Sequence, residues 1–204
     1  MDVDSTLIQD EVIELLADEA GVREVVAEIT DRAMRGEIDF EQSLRERVSM
    51  LKGLPESVFE RVQGRIRLSE GARTLISAVH ASGGRVGAVS GGFSQILTPL
   101  ASALNLDYHA ANELEVVEGQ LTGKILGEVI DRAAKAKKLE LWAKDFGVGT
   151  ELVAAIGDGA NDLDMFEAAG LSFAYNAKPA VREKADVTID EPDLSLVIPH
   201  LGLK

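Results

Sequence analysis

The sequence predicts an α/β protein: a Rossmann-like parallel sheet covered by helices, with an inserted helical-bundle cap and one small β-hairpin. Two observations lead there. From Gln9 to about Gly64 the apolar spacing is helical throughout, whereas from Ser69 onward short apolar runs are each followed by a glycine-rich turn and a helical stretch. Repeated strand–loop–helix units imply parallel strands with both faces covered, and ligands of such sheets bind beyond the carboxyl ends of the strands.

The elements follow in order. At the amino end, Asp2-Val3-Asp4 on an extended backbone puts both acids on one face and turns Val3 into the sheet. In the helical stretch, Val12, Ile13, Leu15 and Leu16, and later Phe40, Leu44, Val48 and Leu51, recur at helical intervals, and Gly21, Gly36 and Gly53-Leu54-Pro55 divide three or four helices. Arg85 to Val89 reads as a strand leading into Ser90-Gly91-Gly92, and Leu152 to Ile156 as one leading into Gly157-Asp158-Gly159. Ser172 to Tyr175 and Asp186 to Ile189 are strand-like, separated by a helix beginning near Lys178-Pro179, and Leu114 to Thr122 reads as a hairpin turning at Gly119. These boundaries predict a core formed by residues 1–10 and 69–204 and a helical insert of residues 11–68.

A chain of 204 residues is long enough to bury roughly 70% of the surface its unfolded form exposes. Thirty-five acidic against 21 basic residues give a net charge of −14, which argues against nucleic acid or an anionic membrane as partner. The absence of cysteine excludes disulfides, thiolate metal sites and cysteine nucleophiles, and suits a reducing compartment. No apolar run approaches the ~18 residues of a membrane span, and the amino end is acidic where a secretory signal is basic. A cytoplasmic protein is expected.

Two glycine-rich stretches resemble nucleotide motifs without satisfying them. Gly123-Lys124 follows a hairpin and lacks the next Ser or Thr of a phosphate-binding P-loop. Gly157-Asp158-Gly159-Ala160-Asn161-Asp162 would repel a pyrophosphate unless a cation intervened. Asp158, at the same sheet edge as Asp2 and Asp4, instead makes a cluster of hard oxygen ligands suited to Mg²⁺. The bland alternative is a solvated, fraying terminus at Asp2 and Asp4 and a turn residue at Asp158.

Asp2-Val3-Asp4-Ser5-Thr6, Ser90-Gly91-Gly92, Lys135 and Gly157-Asp158-Gly159-Ala160-Asn161-Asp162 occur in the order and spacing of the haloacid-dehalogenase-like phosphatases. Glu11 and Phe40 to Ser49 further resemble the helical cap of that family's branch acting on O-phosphoserine, and the resemblance runs from residue 2 to the carboxyl end. It implies hydrolysis of O-phosphoserine to serine and phosphate, the last step of serine synthesis. Asp2 is then the nucleophile, ionised because an ordinary aspartate has a pKa of about 3.9, and Asp4 the general acid and base. It places Mg²⁺ on Asp2, Asp158 and the Asp4 backbone carbonyl, with Asp162 holding metal-bound water behind them.

The resemblance also gives the substrate phosphate Ser90, the Gly91 amide, Lys135 and Asn161 as donors. Glu11 and Arg47 offer a complementary pair for the ammonium and carboxylate of an amino acid. Each has an ordinary alternative: Lys135 as one of several solvated lysines, Asn161 as a helix cap, Glu11 at a helix amino terminus, Arg47 paired with Glu46 or Glu37. Phe40 and Met34 suit either an apolar lid or packing within the insert, and His80, His109 and His200 show no ligand spacing. Two other readings stay open: transfer of the phosphoryl group to a small alcohol such as homoserine, or a silent phosphoserine-binding module. In the family a buried strand leads into the first aspartate, whereas here only Met1 precedes Asp2. The first core strand is almost entirely missing, and the expectation is that the residue range belongs to a longer protein.

Overall fold

The structure, a computed structural model, describes residues 1–35 and 37–203. Gly36, expected to divide two helices, lies outside the described residues, as does the side chain of Met34, expected as a lid or packing residue.

Among the described residues, four helices fill the inserted stretch: α1 (Val12–Ala20), α2 (Arg23–Met34), α3 (Phe40–Ser49) and α4 (Val58–Gln63). Gly21 closes α1 with φ 69°, the left-handed conformation that glycine adopts without steric cost. Asp39 opens α3 by accepting from the Gln42 amide. The two ends of the stretch are fastened together: Gln9 N–H donates to Arg67 O at 2.9 Å, Ser69 N–H to Leu7 O at 3.0 Å, and Arg67 pairs with Asp10 at 2.7 Å. Val12, Leu16, Leu44, Val48 and Val58 point inward and are continuous with Phe93, Ile96 and Leu97 beneath them.

The rest of the chain runs α5 (Ala72–Ala81), β1 (Gly87–Phe93), α6 (Ser94–Leu104), β2 (Tyr108–Val117), β3 (Gln120–Leu126), α7 (Arg132–Phe146), β4 (Ala154–Gly157), α8 (Leu163–Ala168), β5 (Leu171–Tyr175), α9 (Pro179–Arg182) and β6 (Val187–Ile189). The strands form two groups, β1-β2-β3 and β4-β5-β6. Pairing is parallel except between β2 and β3, whose tight turn is Glu118-Gly119, both at positive φ, the geometry of a two-residue type I′ hairpin.

Met1 and Asp2 join the groups. The Met1 amine donates to Gly87 O at 2.7 Å, Val89 N–H donates to Met1 O at 3.0 Å, and Asp2 N–H donates to Ile156 O at 2.9 Å. Two residues therefore bridge β1 and β4. Beside them lies a cavity of about 330 Å³ lined by Val86, Val89, Trp142, Ala154 and Ile156 among others.

Three strand boundaries differ from expectation. β1 continues through Ser90-Gly91-Gly92 to Phe93, and β2 starts at Tyr108, well before Leu114, because its first half pairs with β1. Leu152 is not in β4 and is 74% exposed. Turn bonds from Leu152 N–H to Gly149 O and from Val153 N–H to Thr150 O hold it outside the sheet. Among the described residues no helix is long and apolar enough to cross a membrane.

Candidate active site

The expected site residues come from loops at the carboxyl ends of β1 and β4 and from the segment after Met1. Asp2 leaves the sheet extended, and the chain then turns back in a wide loop over Val3–Leu7, closed by Ile8 N–H donating to Val3 O at 3.0 Å. Single wide turns of this kind concentrate at functional sites. Ser5 stands at φ 55° within it. That turn separates the two acids: Asp2 points into the sheet edge, while Asp4 swings toward the insert.

Asp2 is 4% exposed and Lys135 1% exposed, so the lysine is not a solvated surface residue. Lys135 Nζ donates to Asp2 at 2.6 Å and to Asp162 at 2.7 Å, with Asp162 fully buried. α7 delivers this lysine from its first turns, after Asp131 caps the helix by accepting from Ala134 N–H. Carboxylate oxygens of Asp2, Asp158 and Asp162 lie within 4.8 Å of one another. Asp162, expected to hold metal-bound water, thus lies beside the two expected ligands Asp2 and Asp158. It also accepts from Gly159 N–H at 3.1 Å, and this hydrogen bond, not one from Asn161, secures the start of the turn before α8. The helix-cap alternative for Asn161 is not what forms.

Burial, followed by the charge of Asp162, pushes the Asp2 carboxyl well above the ordinary aspartate range, against the pull of Lys135. Asp158 rises to about 6 for the same leading reasons. This corrects the simplest expectation, that Asp2 ionises as an unperturbed aspartate does. Two buried carboxylates, Asp2 and Asp162, share one lysine beside the half-buried Asp158, and a metal ion on the three groups' oxygens fits the donor set and balances the charge.

Asp4 is held differently. Val12 N–H, the first amide of α1, donates to one carboxylate oxygen at 2.8 Å, and Ser90 Oγ donates to the other at 2.8 Å. Its carboxyl is raised, with burial as the main cause. Ser90 in turn accepts from Gly92 N–H at 2.7 Å. A Cβ on Gly92 would lie 2.8 Å from Asp4 Oδ2 and 2.9 Å from Ser90 Oγ, so only glycine lets these groups meet. Thr6, not singled out from the sequence, donates to Asp158 at 3.2 Å. Its position just after the two acids was the only signal for it.

At the mouth, Ser5 Oγ donates to Glu11 at 2.6 Å. Glu11 is solvent-accessible, yet partial desolvation and then the Asp4 charge push its carboxyl up to about 7. Arg47 is half-buried, donates to Ser43 O at 3.2 Å, and pairs with neither Glu46 nor Glu37; Glu46 pairs with Arg32 at 3.0 Å and Glu37 with Arg35 at 2.6 Å. The surface-pair alternative for Arg47 is therefore overturned. The Phe40 ring lies over Gly91, its Cζ 3.0 Å from where a Cβ there would stand.

A parallel sheet that gathers carboxylates, a buried lysine and a glycine-rich turn at its strand ends defines a class, the Rossmann-like α/β proteins whose site is an acidic, cation-binding cluster. A model of the haloacid dehalogenase-like hydrolases matches residues 1–167, and the chain belongs to that family. It is 55% identical over 203 residues to a phosphoserine phosphatase of Streptomyces coelicolor, covering 100% of this chain and 50% of that protein. It is 53% identical over 198 residues to one of Streptococcus thermophilus, covering 97% and 92%. The chain thus spans about half the length of the first relative and nearly all of the second. Among solved structures, a phospho-aspartyl intermediate analogue of phosphoserine phosphatase superposes with a TM-score of 0.92 at 46% identity, covering 98% of this chain and 96% of that one. A substrate-bound phosphoserine phosphatase complex matches with the same TM-score and identity.

Proposed function

We propose that the chain hydrolyses O-phosphoserine to serine and phosphate through an aspartyl-phosphate, as a step of serine biosynthesis. The observation that carries this reading is the buried Asp2 locked to Lys135 at 2.6 Å beside Asp158 and Asp162, in a chain similar to phosphatases of that substrate.

In the first step an Asp2 oxygen attacks phosphorus and the bond from phosphorus to the seryl oxygen breaks, while Asp4 delivers a proton to that oxygen. In the second, water attacks phosphorus, Asp4 takes its proton, and the bond between Asp2 and phosphorus breaks to release phosphate. Lys135 steadies the Asp2 carboxylate and adds positive charge beside the transferred group, which carries about −1.5 to −2 at pH 7. Ser90 exchanges its contact with Asp4 for the phosphate, joined by the Gly91 amide and Asn161. Asp2, Asp158 and the Asp4 backbone carbonyl would hold Mg²⁺, with Asp162 beside them; bound there, it neutralises the phosphoryl oxygens.

The four-helix stretch, residues 11–68, is the cap that reads the substrate, and residues 1–10 and 69–204 are the catalytic core. Arg47, free of any salt bridge among the described residues, takes the substrate carboxylate, Glu11 the ammonium, and Phe40 covers the carbons between. A cytoplasmic location is part of this reading, in line with the absence of cysteine. A panel of phosphorylated amino acids and sugars, assayed with the wild type and Arg47→Ala, tests the substrate. Losing a charge-assisted bidentate contact should lower kcat/KM for phosphoserine by roughly 10- to 100-fold and leave a simple aryl phosphate nearly unaffected. Undiminished phosphoserine selectivity would refute the assignment of Arg47.

A further inference from the structure

We infer that Asn112, which belongs to none of the sequence motifs, is a positioning residue for phosphoryl transfer; this rests on the function proposed above. Between the pairs Val89–Ala110 and Phe93–Asn112, β1 swells: Ser90, Gly91 and Gly92 stand where β2 supplies only Ala111. A swelling built largely of glycine has lost its ladder bonds and has few side chains to fix it. Asn112 supplies the fastening. It is 1% exposed, and both ends of its amide are used: Nδ2 donates to Gly91 O at 2.8 Å and Oδ1 accepts from Ile130 N–H at 2.7 Å.

The consequence follows from peptide planarity. The carbonyl and N–H of a trans peptide point in opposite directions, so drawing Gly91 O toward Asn112 aims Gly92 N–H the other way, where it meets Ser90 Oγ at 2.7 Å. With that oxygen accepting from Gly92, the single Ser90 proton is directed to Asp4 at 2.8 Å. The Asn112 amide thereby sets the direction of a hydroxyl it does not touch. Its other contact holds Ile130, the residue before the Asp131 cap of α7, so the same side chain ties the phosphate-binding turn to the helix that carries Lys135.

A double-mutant cycle tests this. Asn112→Asp keeps the shape and the acceptor for Ile130 but sets a carboxylate against Gly91 O. Misplacing catalytic groups by about 1 Å costs on the order of 10²-fold, so kcat/KM should fall roughly 10- to 100-fold in a protein whose melting temperature stays near that of the wild type. In a Ser90→Ala background the same change should cost no more than about 3-fold, because its route of action is gone. Asn112→Ala serves as the second variant should the carboxylate impair folding; because it also frees Ile130, its loss should shrink in the Ser90→Ala background without vanishing, and a loss that does not shrink counts against the inference. Equal losses with and without Ser90 would reduce Asn112 to a structural residue and overturn the inference. Each protein is assayed with O-phosphoserine and with an aryl phosphate: a wild type active only on the aryl ester refutes the substrate assignment alone, and the cycle is then read on that ester. No turnover of either ester overturns both.

Discussion

Lys135 is the residue on which the charge balance of the site turns, since it alone among the described residues faces both Asp2 and Asp162 at ion-pair distance. Removing one member of a buried ionic group leaves uncompensated charge and typically costs about 3–5 kcal/mol. Lys135→Met is expected to destabilise the metal-free chain by that order in urea unfolding, and added Mg²⁺ should recover part of the loss. A change below about 1 kcal/mol would mean that the lysine does not hold the cluster. Gly92→Ala tests the opposite kind of constraint, room instead of charge. The added methyl must displace Asp4 or Ser90, so turnover should drop at least about tenfold while the fold survives; unchanged turnover would contradict the Ser90–Asp4 arrangement. At this scale the acids were legible because Asp2 and Asp4 stand at i and i+2 and Asp158 sits in a glycine-rich turn just after a strand-like run. Asn112 was not, because it sits among the polar and small residues Tyr108 to Glu113, which give no periodic signal, and the role of Thr6 within its motif emerges only when the fold brings Asp158 to it.

At the scale of elements, the segment Met1-Asp2 shows what a strand does for the site. It pairs with β1 and β4 at once and so fixes Asp2 relative to both catalytic loops. The helices, the hairpin and the β–loop–α order of the core could be read from hydrophobic spacing. The first half of β2 could not, because Tyr108 to Glu113 mixes polar and small residues in a strand whose partner is set by tertiary pairing with β1. Leu152 was misplaced for the converse reason, an apolar residue that local turn bonds keep outside the sheet.

For the whole molecule, the net charge of −14 suggests a surface that repels anions, yet the proposed substrate is one. Part of the acidic excess is internal, in Asp2, Asp158 and Asp162, and in the proposed function a metal ion with Lys135 would turn that cluster into a seat for phosphate. This makes stability depend on pH in a defined direction. Asp158, at about 6 when folded against 3.8 ordinarily, binds a proton more tightly in the folded state, and Asp2 shifts the same way. Their contribution to stability is present at low pH and is lost as pH rises through about 6. The metal-free wild type should therefore lose more melting temperature between about pH 5.5 and about pH 7.5 than Asp158→Asn does, and saturating Mg²⁺ should flatten the wild-type loss; equal pH dependence of the two metal-free proteins would contradict the cluster. The central claim, that Asp2 carries the phosphoryl group, is tested most directly by rapid acid quench after mixing the Mg²⁺-loaded chain with radiolabelled O-phosphoserine. The expected result is a transient, hydroxylamine-sensitive label on Asp2 that decays as phosphate appears and is absent from Asp2→Asn. Phosphate release without any labelled protein, or equal release by Asp2→Asn, would contradict it.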